Sequence, residues 1–397
     1  MSNAQNSSEN GTALRPGIVT AVTGATGFIG GRLVEMLAER GAEVVCLIRG
    51  NQAGMRLHRA GAHIRKLDLT NAEAVRAALE GTDVVFHLAY DWGDTAWNHK
   101  ALRTLIEVCS AIGCRLVYAS SFVVYELPKT GVVSEESPGT LATEGYAHTK
   151  LALETELLDA VRDTNLLATI VQPTIVYGPF SHPWTIDPAS QLLHGTVVLP
   201  DAGEGICNAV YVDDVVSAML LAATRAEAIG QRYLVSGAAP ITWGEFYEAI
   251  ARALGVKGPQ YRPTAEIKQA GNRASKLLRM VASPQHLIRK LTSFGPNRKL
   301  TAVGLRFLPQ GTRHKVRHWL DLPTSEWSGH THLPTPGHCD FLQQQSTIAI
   351  TKASTQLGYV SAFNLEKGMV PTTRFLKQRY SQHENMHATL PINTRTS

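Results

Sequence analysis

Three glycines at a fixed spacing, Gly24, Gly27 and Gly30, stand between an apolar β-branched run (Val19 to Val22) and a helical pattern (Leu33 to Arg40) that Gly41 ends. The run reads as a buried strand and the pattern as a helix with a glycine stop. The glycines therefore fall on a strand-to-helix turn. Such a turn lets a pyrophosphate approach the backbone closely and meet a helix N-terminus. The spacing is Gly-x-x-Gly-x-x-Gly rather than Gly-x-Gly-x-x-Gly.

Strands and helices alternate after it. Glu43–Ile48, His63–Leu67, Asp83–Leu88, Arg115–Ala119 and Leu167–Gln172 read as strands. Asn71–Leu79, Asn98–Ile112 and Tyr146–Val161 read as helices. This alternation implies βαβ units and a parallel sheet, with ligands at the carboxyl ends of the strands. Arg49, Asp68, Leu88-Ala89, Ser121 and Pro173 fall at those ends. Beyond Gly178 the pattern loosens. Val197–Pro200, Ala209–Val212 and Gln231–Val235 read as short strands, and Thr242 with Glu245 forms a capping box for a helix to Leu254. Gly311–Gln345, rich in Pro, His and polar residues, reads as loops, and Thr351–Leu357 and Leu365–Arg379 as helices.

The 397 residues hold no apolar run long enough to span a membrane, and residues 1–14 read as a disordered leader rather than a signal peptide. Five scattered cysteines fit reduced thiols and a cytoplasmic location. The net charge of +5 is concentrated. No acidic residue occurs from Ile267 to Leu320, while Lys268, Arg273, Arg279, Arg289, Lys290 and others do. An anionic ligand, an acidic carrier or a membrane surface is expected there if the run is more than a solvated face. His330, His332, His338 and Cys339 fit no standard zinc spacing.

Tyr146-Ala-His-Thr-Lys150 places a phenol and an ammonium one helical turn apart, on one face. The ammonium, with the positive ring of an oxidised nicotinamide, would favour the phenolate and make Tyr146 a general acid/base. Ser121 would hold the substrate oxygen beside it.

On these motifs the chain resembles the extended short-chain dehydrogenase/reductases, the epimerase/dehydratase-like family. The matching pieces are Thr23-Gly-Ala-Thr-Gly-Phe-Ile-Gly30, Asp68-Leu69, His87-Leu88-Ala89, Ser120-Ser121, Tyr146-x-x-x-Lys150, Pro173 to Pro179 and Lys352 to Tyr359. The resemblance implies an α/β fold. A doubly wound parallel (Rossmann) sheet over 15–180, with 207–237 returning to it, would carry a smaller mixed α/β substrate domain from 181–206 and 238–397. It implies Tyr146 as acid/base, Lys150 on the nicotinamide ribose, Ser121 as the catalytic serine selected by Val124-Tyr125, and Asn98 in the proton relay. Asn98 reads equally as the N-cap of its helix. Implied cofactor contacts are Gly24, Thr26, Gly27, Phe28, Ile29, Gly30, Asp68, Leu69, Leu88, Ala89, Pro173, Tyr146 and Lys150. At the end of strand two, Ile48-Arg49 replaces the acid that would bind an NAD ribose, so NADP is expected at Arg49, with NAD as the alternative.

Nucleotide-sugar members carry an asparagine and an arginine on the diphosphate. Here Ile175 and Cys207 occupy those positions. The expected activity is hydride transfer to or from a ketone or secondary alcohol on a small apolar molecule. The alternatives are a nucleotide-sugar epimerase or dehydratase with internally recycled cofactor, and a non-catalytic NADP-binding scaffold. No nucleic acid partner is expected, and a homodimer is left open.

Overall fold

The computed structural model describes residues 17–50, 54–269 and 333–387. Seven strands form one parallel sheet: β1 (Val19–Thr23), β2 (Glu43–Ile48), β3 (His63–Lys66), β4 (Val84–His87), β5 (Arg115–Ala119), β7 (Leu167–Pro173) and β12 (Arg232–Val235). The remaining strands pair outside this sheet. The order is β12-β7-β5-β4-β1-β2-β3, so the topology switches between β1 and β4. Both faces are covered, which explains strands that are apolar almost throughout. Ala21, Val22, Val85, Phe86, Leu116, Val117, Ile170 and Val171 are all fully buried.

Helices α1 (Phe28–Glu39), α2 (Met55–Arg59), α3 (Ala72–Ala78), α4 (Thr95–Ile112), α5 (Gly145–Asp163) and α7 (Val212–Thr224) flank the sheet. α1 packs on α7, and α4 packs on both α3 and α5. α6 (Asp187–Leu193) and α8 (Trp243–Leu254) pack together beyond it. The capping box expected at Thr242 is present: its hydroxyl accepts from Glu245 N at 3.1 Å, and Glu245 accepts from Thr242 N at 2.7 Å.

Beyond the seven-stranded sheet lie two-stranded pairs. They are β6 (Thr130–Val133) with β15 (Gln345–Ile348), β8 (Ile175–Tyr177) with β11 (Ala209–Tyr211), β9 (Val198–Pro200) with β14 (Gln260–Arg262), and β10 (Ile206–Cys207) with β13 (Ile241–Thr242). α9 (Pro336–Leu342) and the long α10 (Leu365–His387) complete this region, with α10 on α8. Among the described residues no helix is long and apolar enough to cross a membrane.

Three sequence readings are corrected. α1 begins at Phe28, not Leu33, so Gly30 belongs to the first helical turn rather than to the turn before it. α4 begins at Thr95, because Asp94 caps it by accepting from Trp97 N at 2.9 Å; Asn98 is therefore not an N-cap. The expected loop to Gln345 contains α9, started by Thr335 as cap with Pro336 in the first turn. The leader 1–14 and most of the basic run lie outside the described residues.

Candidate active site

The glycine turn is built by close approach. Gly24 has φ +68°, and a Cβ there would lie 2.6 Å from the Leu88 carbonyl carbon and 2.7 Å from Ala89 N. A Cβ on Gly30 would lie 2.3 Å from Gly24 O. Only glycine fits either position. Gly27 caps α1 without a side chain, and no acidic residue enters the first turn. The leading N–H groups at Phe28 and Ile29, beside exposed Thr26, thus face outward as an anion cradle suited to a pyrophosphate. Thr23 Oγ1 accepts from Leu88 N at 3.1 Å and Ala89 N at 3.2 Å, which fixes the end of β4 against the turn.

Just past the end of β2, Arg49 is more than half exposed. Its Nη2 donates to Asp91 Oδ2 at 2.8 Å and its guanidinium lies 4.9 Å from the Trp97 ring centre. Trp97 Nε1 donates to Asp68 Oδ1 at 3.0 Å. Asp68 Oδ1 also accepts from Thr70 N and Thr70 Oγ1, each at 3.0 Å, and these bonds hold its carboxyl below the usual range. Leu69 is buried beside it.

Ser121 follows β5, and Tyr146 and Lys150 lie in the first turns of α5. Burial pushes the Tyr146 phenol up to about 12, against the neighbouring Ser121 hydroxyl, which pulls it down. Ser120, its neighbour, is buried on the side away from the phenol, near Glu154. Lys150 is 4% exposed, and its Nζ donates to Ala119 O at 2.8 Å and Tyr118 OH at 3.1 Å. Burial brings its ammonium down to about 7. His87, buried and facing Lys150, is held neutral, with its pKa brought down to about 3. The structure thus brings Ser121, Tyr146 and Lys150 together.

Asn98 acts at one remove. Its Oδ1 accepts from Asp91 N and its Nδ2 donates to Asp91 O, both at 2.8 Å. This amide clamp pins the loop 90–94. Two aromatic residues of that loop escaped the sequence reading. Trp92, 78% exposed, stacks on the Tyr146 ring at 4.8 Å and 26°, and Tyr90 meets the same ring edge-on at 5.1 Å. The available signal was Tyr90-Asp-Trp-Gly-Asp94 directly after a strand end, where ligands bind.

On the substrate side Pro173 ends β7, and Ile175 and Cys207 are 2% and 0% exposed. Ile175 lines a small cavity with Phe122, Leu127, Ile206, Trp243 and Phe341, completed by Asn208, Gln344 and Ser346. No side chain of that lining is charged. Of the basic run Lys268 is described, and it pairs with Asp340 at 2.6 Å. His330 and His332 lie outside the described residues.

The model of the NAD dependent epimerase/dehydratase family matches residues 20–236, more than half of the chain. The chain belongs to this family. It is similar to the 2-alkyl-3-oxoalkanoate reductase of Stenotrophomonas maltophilia, 29% identical over 66% of this chain and 85% of that protein. It is also similar to the UDP-glucose 4-epimerase of Mycolicibacterium smegmatis, 30% identical over 62% of this chain and 84% of that protein. The crystal structure of a Thermotoga maritima UDP-glucose 4-epimerase with UDP-glucose shares the fold, with a TM-score of 0.63 at 19% identity, covering 91% of this chain and 99% of that one. Members of the family work with nicotinamide dinucleotides as oxidoreductases, epimerases and dehydratases. The cradle at Gly24–Gly30, with its Cβ-excluding contacts, fits such a group.

Proposed function

We propose that this protein is an NADP-dependent oxidoreductase acting on a ketone or secondary alcohol carried by an apolar molecule. One observation carries the reading: Ile175 and Cys207 are 2% and 0% exposed, and no charged side chain lines the small cavity at Ile175, beside Phe122 and one residue from Ser121. A diphosphate placed against buried Ile175 and Cys207 would lose its hydration with no cationic or amide partner from either, at a cost of kilocalories. The similarity to a 2-alkyl-3-oxoalkanoate reductase points the same way.

Bound along the glycine turn, the nicotinamide dinucleotide supplies hydride exchange with a carbon. The chain supplies everything else. Tyr146 Oη holds a proton firmly, as its raised pKa requires, and delivers it to the carbonyl oxygen in the reducing direction. Ser121 Oγ hydrogen-bonds that oxygen and the phenol together. Lys150 places a buried ammonium below the ring and stabilises phenolate as the proton leaves. Trp92 and Tyr90 wall the phenol from water. Arg49 pairs with a 2′-phosphate, exchanging or sharing its contact with Asp91.

The epimerase/dehydratase reading is kept because a UDP-glucose 4-epimerase is an equally similar relative and because the basic run offers other phosphate partners. The test is a panel of cyclic and long-chain ketones, 3-oxo acids and their alcohols followed at the nicotinamide absorbance band, beside calorimetry with uridine and thymidine diphosphates. Net consumption of NADPH or NADP with an apolar substrate is expected. Micromolar nucleoside diphosphate binding, with no net cofactor change on the sugar, overturns it.

A further inference from the structure

Lys150 is a buried cation whose close contacts are neutral. Tyr118 OH and Ala119 O accept from it, and the rings of Tyr118, Tyr90 and Tyr146 lie 4.6, 4.9 and 5.9 Å from its Nζ. His87, facing it, is neutral. An ammonium so placed is costly and tends to discharge. One turn along α5, on the same face, lies Glu154, which is 1% exposed. Its carboxylate is supported from a different part of the sheet. Gln172 Nε2, on β7, donates to both of its oxygens at 2.8 and 3.0 Å. Arg232, on β12, places Nη1 3.7 Å away. The Gln172 amide is itself oriented, since Tyr125 OH donates to its Oε1 at 3.0 Å. Two amide contacts and a guanidinium favour an ionised acceptor.

We infer that Glu154 is a positioning residue for the active site: its buried carboxylate, held by Gln172 and Arg232, keeps Lys150 charged beneath Tyr146. The inference rests on the reading of Lys150 as the group that tunes Tyr146. Burial holds the Glu154 carboxyl above its ordinary value, against Ser120, Gln172, Arg232 and Lys150, which pull it down; Glu154 in turn raises Lys150 against the burial that lowers it. The other charged or titratable groups around the pair are Tyr118, Tyr90, Tyr146 and His87 at the ammonium, and Arg232, Tyr118, Tyr125 and Glu135 toward the carboxylate. A purely structural role, stapling α5 to β7 and β12, predicts no change in how Lys150 titrates.

The experiment is a pH titration of the full chain labelled with ε-13C lysine, the Lys150 signal being identified by its loss in Lys150→Met. In Glu154→Gln the Lys150 midpoint is expected to fall by about one pH unit or more, equivalent to a tenfold or greater change in proton affinity. NADP affinity at pH 7.5 is expected to fall with it and to recover toward pH 6. Should Glu154→Gln not fold, Gln172→Leu, which strips both amide contacts from the carboxylate, is expected to move the midpoint the same way by less. An unchanged midpoint in a folded variant overturns the inference. The readout needs no substrate, so a failure of the ketone panel leaves it decidable.

Discussion

The cofactor side and the substrate side of this protein are built on opposite plans. The first joins strands through successive βα units, so most elements pack against near neighbours in sequence. The second joins β6 to β15, β9 to β14 and β10 to β13 across long stretches of intervening chain that hold other strands and helices. The proposed reacting groups belong to the regular side: Ser121 follows β5, and Tyr146 and Lys150 lie on α5. On the proposed function, what the chemistry is applied to depends on the irregular side, around Ile175, Trp243 and Phe341. Reaction type and substrate choice are thus separable, and that separation can be attacked at several points.

The largest effect is expected at Tyr146→Phe, which removes only the transferable proton. Turnover should fall by ~10²-fold or more while NADP affinity stays within about twofold. Near-normal turnover would break the assignment of chemistry to the regular side. Next, Arg49→Asp is expected to weaken NADP by at least about tenfold, with little change for NAD, because a charge-assisted contact becomes a repulsion. Titrating both dinucleotides into wild type and variant decides it, and a wild type that prefers NAD refutes the reading of strand two.

A third test uses pH. Lys150 titrates at about 7 in the folded protein and near its ordinary value when unfolded. Between those values the unfolded chain binds the extra proton, so folding stability rises with pH. Relative to Lys150→Met, wild type should gain on the order of 1 kcal/mol per pH unit from pH 7 to 10, read by urea unfolding. Below pH 7 the difference should level off; a flat difference throughout would show that the ammonium is not buried. Smallest is Trp92→Ala. Ring-bearing ketones are expected to lose about three- to tenfold in KM and short aliphatic ketones almost nothing, because a stacking wall is worth roughly 1 kcal/mol. Equal effects on both would remove Trp92 from substrate selection.

The sequence showed the regular side because its signals are local. Glycine spacing, β-branched runs and the Tyr-x-x-x-Lys step each lie within one element, and Gly24 and Gly30 meet the steric demand that their spacing implied. Errors came where a boundary depends on a side chain reaching back. Asp94 rather than Asn98 caps α4, and the freed Asn98 amide grips Asp91 instead. Glu154 was silent because a glutamate at helical spacing from a lysine reads as a solvated pair; only Gln172 and Arg232, brought in by the sheet, bury it. Trp92 was missed because its stacking partner lies on another element.

The pairing of Thr130–Val133 with Gln345–Ile348 sets an order of assembly on the ribosome. Chains emerge N-terminus first at about 5–20 residues per second. The glycine turn, the reacting trio and the last sheet strand, Arg232–Val235, are all made before β15 exists. For some seconds a nascent chain can hold dinucleotide and the catalytic groups while Phe122 and Ile175 face open water, waiting for Phe341 and Ser346 to close over them. A ribosome-stalled chain long enough for Val235 to have left the exit tunnel, but ending before Gln345, would then present the dinucleotide turn without the walls that close over Ile175.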